Sequence, residues 1–175
     1  LKNTDSLKLI EVSFGVEEEN ALYYQLKNYG YTEHLGFTHE TTIDVIKRGF
    51  DKIKQADVVI LQLNKAGAKP ENNYGVGSQT LWLMDSIARM KPTVLVVATN
   101  PYILNKINSL KNYKAVVMAY EYIPSLLRAS ANLILGAQQA GCGQTGQHPL
   151  PFRPKPTRDG AILSSGGQKF VLTVQ

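Results

Sequence analysis

Ala56-Asp57-Val58-Val59-Ile60-Leu61-Gln62-Leu63 and Thr93-Val94-Leu95-Val96-Val97-Ala98 are the two stretches that decide the fold. Each is apolar almost throughout and rich in β-branched residues, the pattern of a strand covered on both faces. Ala115-Val116-Val117-Met118-Ala119 repeats it. All three fall far short of the roughly 20 apolar residues that cross a bilayer, so no membrane span is expected. Between the first two, Ser78 to Met90 carries Leu81, Trp82, Met84, Ile87 and Ala88, and Lys91-Pro92 ends it as a helix.

Working outward, the alternation continues in both directions. Leu7 to Val12 reads as a first strand ending at Ser13-Phe14-Gly15, and Glu17 to Tyr29 as a helix with three glutamates in its first turn. His34 to Thr38 is a short edge strand. Thr41 or Thr42 caps a helix through Ile43, Ile46, Phe50 and Ile53. After the second buried strand come Thr99-Asn100-Pro101-Tyr102 and a short helical stretch, Ile103 to Leu110. Past the third, Pro124 opens a helix through Leu127, Ala131 and Ile134 that stops at Gly136. Strands alternating with helices, the central strands apolar on both faces, predict a doubly wound α/β domain with a mainly parallel sheet of five or six strands in the flavodoxin-like order 2-1-3-4-5. Functional loops then gather at the carboxyl ends of the strands: 13–16, 38–42, 64–77, 99–102 and 120–123.

Composition agrees with a globular chain: 43% of the 175 residues are hydrophobic and 19% charged. The formal charge of +5 says little about partners. Residues 141–175 hold Arg153, Lys155, Arg158 and Lys169 against Asp159 alone, which leaves +2 for the rest. Nucleic-acid binding needs clustered Lys and Arg on one element and is not expected. The single Cys142 excludes an internal disulfide and a cysteine-based metal site. A chain opening on Leu1, with no charged-then-apolar leader, reads as a piece of something longer, which leaves its compartment open.

Chemistry can be tested at each loop. The first turn, Phe14-Gly15-Val16-Glu17-Glu18-Glu19, has neither a dinucleotide glycine fingerprint nor a phosphate-loop Lys-Ser/Thr pair, nor the hydroxyl-rich loop a flavin phosphate wants. No cofactor is expected. There is no nucleophile elbow, and His34, His39 and His148 are spread over an edge strand, a loop and the tail. His39, beside Glu40, reads as a surface histidine. No metal-ligand spacing is present. The remaining candidate is the loop Asn64 to Gly75, long enough to be functional. Its carboxylate, Glu71, sits among amides, lysines and Tyr74, a setting suited to a hydroxyl-rich ligand. As a general acid it would need an apolar setting and a second carboxylate across the scissile bond. A solvated loop glutamate is the plainer reading.

The run Ala56 to Ile60, the loop through Asn72-Asn73-Tyr74-Gly75, Gln79 through Ile87, Lys91 to Tyr102, Ala115 to Tyr120 and Ala129 to Gly136 together resemble the C-terminal α/β domain of glycoside hydrolase family 3. The best signature is a buried strand ending in Asn100-Pro101-Tyr102, followed by one ending in Ala119-Tyr120. The resemblance implies a preceding barrel domain that carries the nucleophile and most of the sugar pocket, with this domain packed beside it. It also implies a carbohydrate substrate for the whole. The plain loop after Asn64 looks more like the β-N-acetylhexosaminidase branch than the β-glucosidases, in which a glutamate of this second domain serves as acid. Glu71 lies in about that loop without the surrounding glycine-rich motif. Asn64, Lys65, Asn72, Asn73, Tyr74, Asn100, Tyr102, Tyr120 and Glu121 are the residues expected to face sugar or barrel. The alternative is a stand-alone flavodoxin-like binding domain. Its receiver version would need a phosphorylatable Asp where the central strand ends Gln62-Leu63-Asn64.

In the family pattern a Gly-Lys-Leu-Pro-like strand follows the last helix, and here the chain departs from it. Reading Cys142-Gly143-Gln144-Thr145 with a one-nucleotide shift permits Ala or Val, then Gly, Lys, Leu. The expectation is therefore a domain of residues 1–140 and an irregular, Gly/Pro-rich tail, 141–175, out of frame or altered by engineering. Only Lys169 to Val174 could form a strand there.

Overall fold

A computed structural model of the chain describes residues 7–136 and 171–173. Strands β1 (Leu9–Phe14), β2 (Thr32–Phe37), β3 (Val58–Asn64), β4 (Thr93–Ala98), β5 (Ala115–Met118) and β6 (Val171–Thr173) form one sheet. Their order across it is β2-β1-β3-β4-β5-β6, and every pair is parallel. Helices α1 (Ala21–Lys27) and α4 (Pro124–Leu135) cover one face, α2 (Ile43–Gln55) and α3 (Ser78–Met90) the other. This is the doubly wound α/β architecture with flavodoxin-like order. The strand β6 lies within the one part of the tail able to form a strand. The rest of that tail, with Cys142 and His148, lies outside the described residues.

The sequence explains the layering. β1, β3 and β4 are buried at every position. Alternate side chains of a strand point to opposite faces, so Val59, Leu61, Leu63, Leu95 and Val97 join the core beneath α2 and α3. Ile60, Val94 and Val96 join the one beneath α1 and α4. Each fully buried Val, Leu or Ile contributes about 1.5–3 kcal/mol, which makes the central strands the main source of stability. The Gln25 amide donates to Asn132 Oδ1 at 2.8 Å, linking α1 to α4.

Three elements differ from the sequence reading. Helix α1 starts at Ala21 instead of Glu17, because the Asn20 side chain accepts from the backbone N–H groups of Leu22 (2.9 Å) and Tyr23 (3.3 Å) and sets the N-cap there. Glu17, Glu18 and Glu19 therefore precede the helix, and no acidic residue lies in its first turn. Val16 instead bridges antiparallel to Phe37, and Gly36 backs directly onto the Glu17 carbonyl, where a Cβ would collide. The stretch from Ile103 to Leu110 folds as two 3-10 turns, Pro101–Lys106 and Leu110–Asn112, the first capped by Asn100. In α3, Trp82 is 57% exposed while Leu81, Leu83, Met84 and Ile87 fill the core. Four consecutive large apolar residues cannot all face one way on a helix.

Leu61, fully buried in β3, and Trp82 on the outer face of α3 are expected to separate sharply in urea unfolding. Leu61→Ala should lower stability by about 2–5 kcal/mol. Trp82→Ala should change it by no more than about 0.5 kcal/mol. Equal losses would contradict this core.

Candidate functional site

In an open parallel sheet of this order, the crevice for a ligand lies at the carboxyl ends where the winding reverses, between β1 and β3. Gly15 ends β1 at φ +93, a conformation that favours glycine. It is also needed sterically, since a Cβ would clash with the Asn64 carbonyl and come within 2.6 Å of His39 Nε2. The His39 Nε2–H donates to that same carbonyl at 2.7 Å. The His39 backbone carbonyl accepts from Thr80 Oγ1 at 3.1 Å, which brings the N-terminus of α3 onto the loop. With Nε2 protonated, Nδ1 is the bare acceptor of a neutral ring. It is buried with no hydrogen-bond partner among the described residues. Burial holds the imidazole below its usual range, opposed by the bond to Asn64.

Beneath this clamp lies a buried polar row that sequence reasoning passed over. Ser13 and Gln62 are register partners in β1 and β3. Gln62 Nε2 donates to Asn64 Oδ1 at 2.7 Å, and Asn64 Nδ2 donates to Ser13 Oγ at 2.9 Å. All three residues are fully buried. The signal was present in the sequence: Glu11 and Ser13, like Gln62 and Asn64, are polar residues spaced by two in otherwise apolar strands, so each pair shares a face.

The expected contact residues fall into two groups. Asn64 is committed to this internal network. Lys65, Glu71, Asn72, Tyr102, Tyr120 and Glu121 are exposed, with Asn73, Tyr74 and Asn100 half-buried. All of these stand on carboxyl-end loops, and three contacts join those loops. Thr99 Oγ1 donates to the Ala66 carbonyl at 3.1 Å. The Lys65 ammonium lies 5.7 Å from the centre of the Tyr122 ring. The 3-10 turn Glu71–Gly75 lies against the turn Pro101–Lys106. Among the described residues, no side chain bonds the Glu71 carboxylate. A cleft of about 410 Å³ opens between this turn, the loop at His39 to Thr41 and the start of α3 at Ser78 and Gln79. Polar residues and glycines line it, with one carboxylate from Glu40.

Backbone conformation marks the same end. The non-glycine residues at positive φ among those described are Lys65, Asn72, Asn73, Tyr74 and Tyr120, all on these loops. Asn72, Asn73 and Tyr74 follow one another at φ 49, 54 and 60, a left-handed turn that costs about 1–2 kcal/mol per residue for L-amino acids. Such strain concentrates at functional loops. No grouping of three or more His, Cys, Asp or Glu able to hold a metal occurs among the described residues. No helix among them is long and apolar enough to cross a membrane.

Two measurements check the clamp. Asn64→Ala should cost about 1–3 kcal/mol, since it strands the Gln62 amide and the Ser13 hydroxyl without partners. A double-mutant cycle with Ser13→Ala should show coupling, and additivity would refute the bond. A histidine whose folded-state affinity for protons is depressed binds fewer protons folded than unfolded, so its contribution is complete above the unfolded value near 6.5 and falls as pH drops below it. Urea unfolding between pH 5 and 7 should show this slope, and His39→Gln should reduce it.

No protein-family model matches this chain, and no curated protein does. Among solved structures, the chain is similar to a glycoside hydrolase family 3 β-N-acetylglucosaminidase from Paenibacillus sp. str. FPU-7, at 20% identity and a TM-score of 0.61 over 75% of this chain and 26% of that one. It also aligns with the β-glucoside phosphorylase BglX at 17% identity and a TM-score of 0.49, over 79% of this chain and 25% of that one. A third alignment is with the RcsB response regulator of Salmonella typhimurium, at 14% identity and a TM-score of 0.40, over 79% and 72%. The first likeness establishes a shared fold, and the chain spans about a quarter of that enzyme's length.

Proposed function

We propose that this chain is the accessory C-terminal α/β domain of a family 3 glycoside hydrolase, of the β-N-acetylglucosaminidase or β-glucosidase type. It packs on a catalytic barrel domain that the chain does not contain, and terminal β-linked sugars are hydrolysed only by the two together. The observation that carries this reading is the collection of strained, polar and aromatic loops at one end of the sheet: the left-handed turn after Glu71, Asn100 with Tyr102, and Tyr120 with Glu121. Glu71, Asn72, Tyr102, Tyr120 and Glu121 are exposed there, as one wall of a site would be. The fold shared with a segment of a much longer family 3 enzyme supports the same reading, as do the residue patterns around Asn100-Pro101-Tyr102 and Ala119-Tyr120.

Exposed tyrosines and amides suit this role, since aromatic rings stack on sugar faces or bury against a partner while their polar tips stay bonded. Glu71, exposed on that wall with Glu40 and Glu121, is the candidate for the acid, and a second carboxylate would come from the barrel. Residues 1–140 make up the body of the domain, β6 adds one strand to its sheet, and the segment from 141 onward is otherwise read as out of frame or altered by engineering.

Assays with chromogenic N-acetylglucosaminide and glucoside, on this chain alone and joined to the coding segment that precedes it, test the proposal. The chain alone should release no chromophore and the joined form should. Turnover by the isolated chain would overturn the accessory role. In the joined form, Glu71→Gln should lower kcat about 10²–10⁴-fold if Glu71 is the acid, with little change if the barrel supplies both groups.

A further inference from the structure

A second buried cluster lies at β1, β2 and the start of α1, apart from the loops described above. The Glu11 side chain is fully buried in β1, next to the edge strand. One carboxylate oxygen, Oε2, meets Nδ1 of His34 on β2 in a short hydrogen bond, and the other, Oε1, accepts from Asn20 Nδ2 at 3.3 Å. Asn20 is the N-cap of α1. The second ring nitrogen of His34, Nε2, lies 2.9 Å from the Glu17 carbonyl.

Counting protons fixes the state of this cluster. A backbone carbonyl can only accept, so Nε2 carries a hydrogen. If Glu11 is ionised, its oxygen also only accepts, so Nδ1 must carry one too. If Nδ1 is bare, Glu11 must carry the proton and donate it. Either way the pair holds one proton beyond neutral imidazole and carboxylate. Without that proton, two lone pairs face each other at the fully buried Glu11 carboxylate, or Nε2 turns its lone pair on the Glu17 carbonyl. Leaving such groups buried and unpaired is costly.

We propose that this shared proton is a pH-sensitive clasp: it fastens β2 and the segment 16–20 to the sheet, and its loss at alkaline pH frees that segment. The segment hangs on the sheet by the Val16 to Phe37 bridge, the Glu17 carbonyl bond to His34 and the Asn20 cap, and the last two converge on the Glu11 and His34 pair. The groups around the pair set the balance. Burial pulls the imidazole down, but the Glu11 bond and charge, the Glu17 carbonyl and the Glu19 charge together hold it above its ordinary range. Burial pushes the Glu11 carboxyl up against the lowering effect of His34 and Asn20. From α1, the Tyr23 ring lies 5.4 Å from the imidazole, and the Lys27 ammonium lies 5.4 Å from the centre of the Tyr23 ring. On β2, Glu33 is paired with Lys52 of α2 at 3.0 Å. Tyr122, from the loop after β5, feels the charges of Glu11 and Glu18. The clasp does not rest on the proposed function.

The sign follows from linkage. The folded pair keeps its proton where the unfolded histidine has released its own, so stability is complete below about 6.5 and declines above it. Until the pair itself titrates, the folding equilibrium constant should fall about tenfold per pH unit. The test is proton–nitrogen NMR of the histidine rings with amide exchange on the full chain from pH 6 to 9.5, beside urea unfolding. Glu11→Gln is the diagnostic variant: a glutamine amide donates to a bare Nδ1 and its oxygen still accepts from Asn20, so the network closes without the extra proton. Expected are a proton shared between Nδ1 and Glu11 at pH 7, its loss together with faster exchange at residues 16–20, and a flat stability profile above pH 6.5 in Glu11→Gln. A His34 signal at pH 7 showing Nδ1 bare and unbonded, or unchanged exchange at 16–20 while the proton is lost, would overturn the clasp. If Glu11→Gln does not fold, the ring spectra and exchange of the unsubstituted chain decide between the same outcomes.

Discussion

The parallel pairing of β1 with β3 is the constraint on which the rest of the structure depends. Its register, Val12 with Leu61 and Ser13 with Gln62, seats two wholly buried strands side by side. Because the chain leaves β1 toward β2 and only then returns past it to β3, the helices divide between two faces. Loops that are distant in sequence arrive together at the carboxyl edge. The same register aligns the polar residues of the two strands. Buried polar atoms in that row need partners within the sheet, and Ser13, Gln62 and Asn64 supply most of them by bonding one another, which leaves the Gln62 Oε1 unpartnered among the described residues.

Most of the architecture was legible in the residues because it follows from burial. A strand covered on both faces must be apolar almost throughout, and β3 and β4 announce themselves this way. Ser78 to Met90 and Pro124 to Gly136 were bounded by Pro and Gly at positions only those residues favour, and Gly136 does end α4 in the left-handed region. The start of α1 was not legible. Glutamates at 17–19 favour a helix N-terminus in general, but Asn20 caps more strongly here because its amide also reaches Glu11, a contact spanning nine residues that no local pattern displays. The outward position of Trp82 was not legible either, since a run of four large apolar residues leaves the outward one undetermined until the sheet beneath it is known.

The candidate site was legible only in outline. Strand alternation placed the loops correctly at one end, and the length of the loop after β3 marked it as more than a connection. Which side chains face outward depended on details that composition does not carry. Asn64 read as a loop residue and is the last residue of β3, held between Ser13 and Gln62. His39 read as an exposed histidine beside Glu40 and is the bolt between three elements, its ring against the end of β3 and its carbonyl against α3. Both errors share a cause: a polar residue near a strand end looks solvated in sequence even when another chain segment closes over it.

The two ends of the sheet differ in kind, and the difference bears on function. At the amino end the polar contacts include Lys8 N–H to Asp57 and the Thr93 hydroxyl to the Lys91 carbonyl, both at 2.9 Å, and Tyr113, buried beside Asp85 of α3. At the carboxyl end the chain keeps a half-buried imidazole whose Nδ1 is buried without a partner, a buried row of amides and hydroxyl, and, among the described residues, five non-glycine residues in the left-handed region. Three of the five, Asn72, Asn73 and Tyr74, lie in the Glu71–Gly75 turn, where no residue is fully buried and Tyr74 packs only partly against the core. A cheaper turn with glycine at each of those positions would close the same loop. The strain held there by two asparagines and a tyrosine sets Asn72 on the wall of the cleft and Tyr74 partly against the core. Such pre-ordering lowers the entropy lost when a ligand or neighbouring domain settles there. The strain is therefore best understood as belonging to the surface that this end presents.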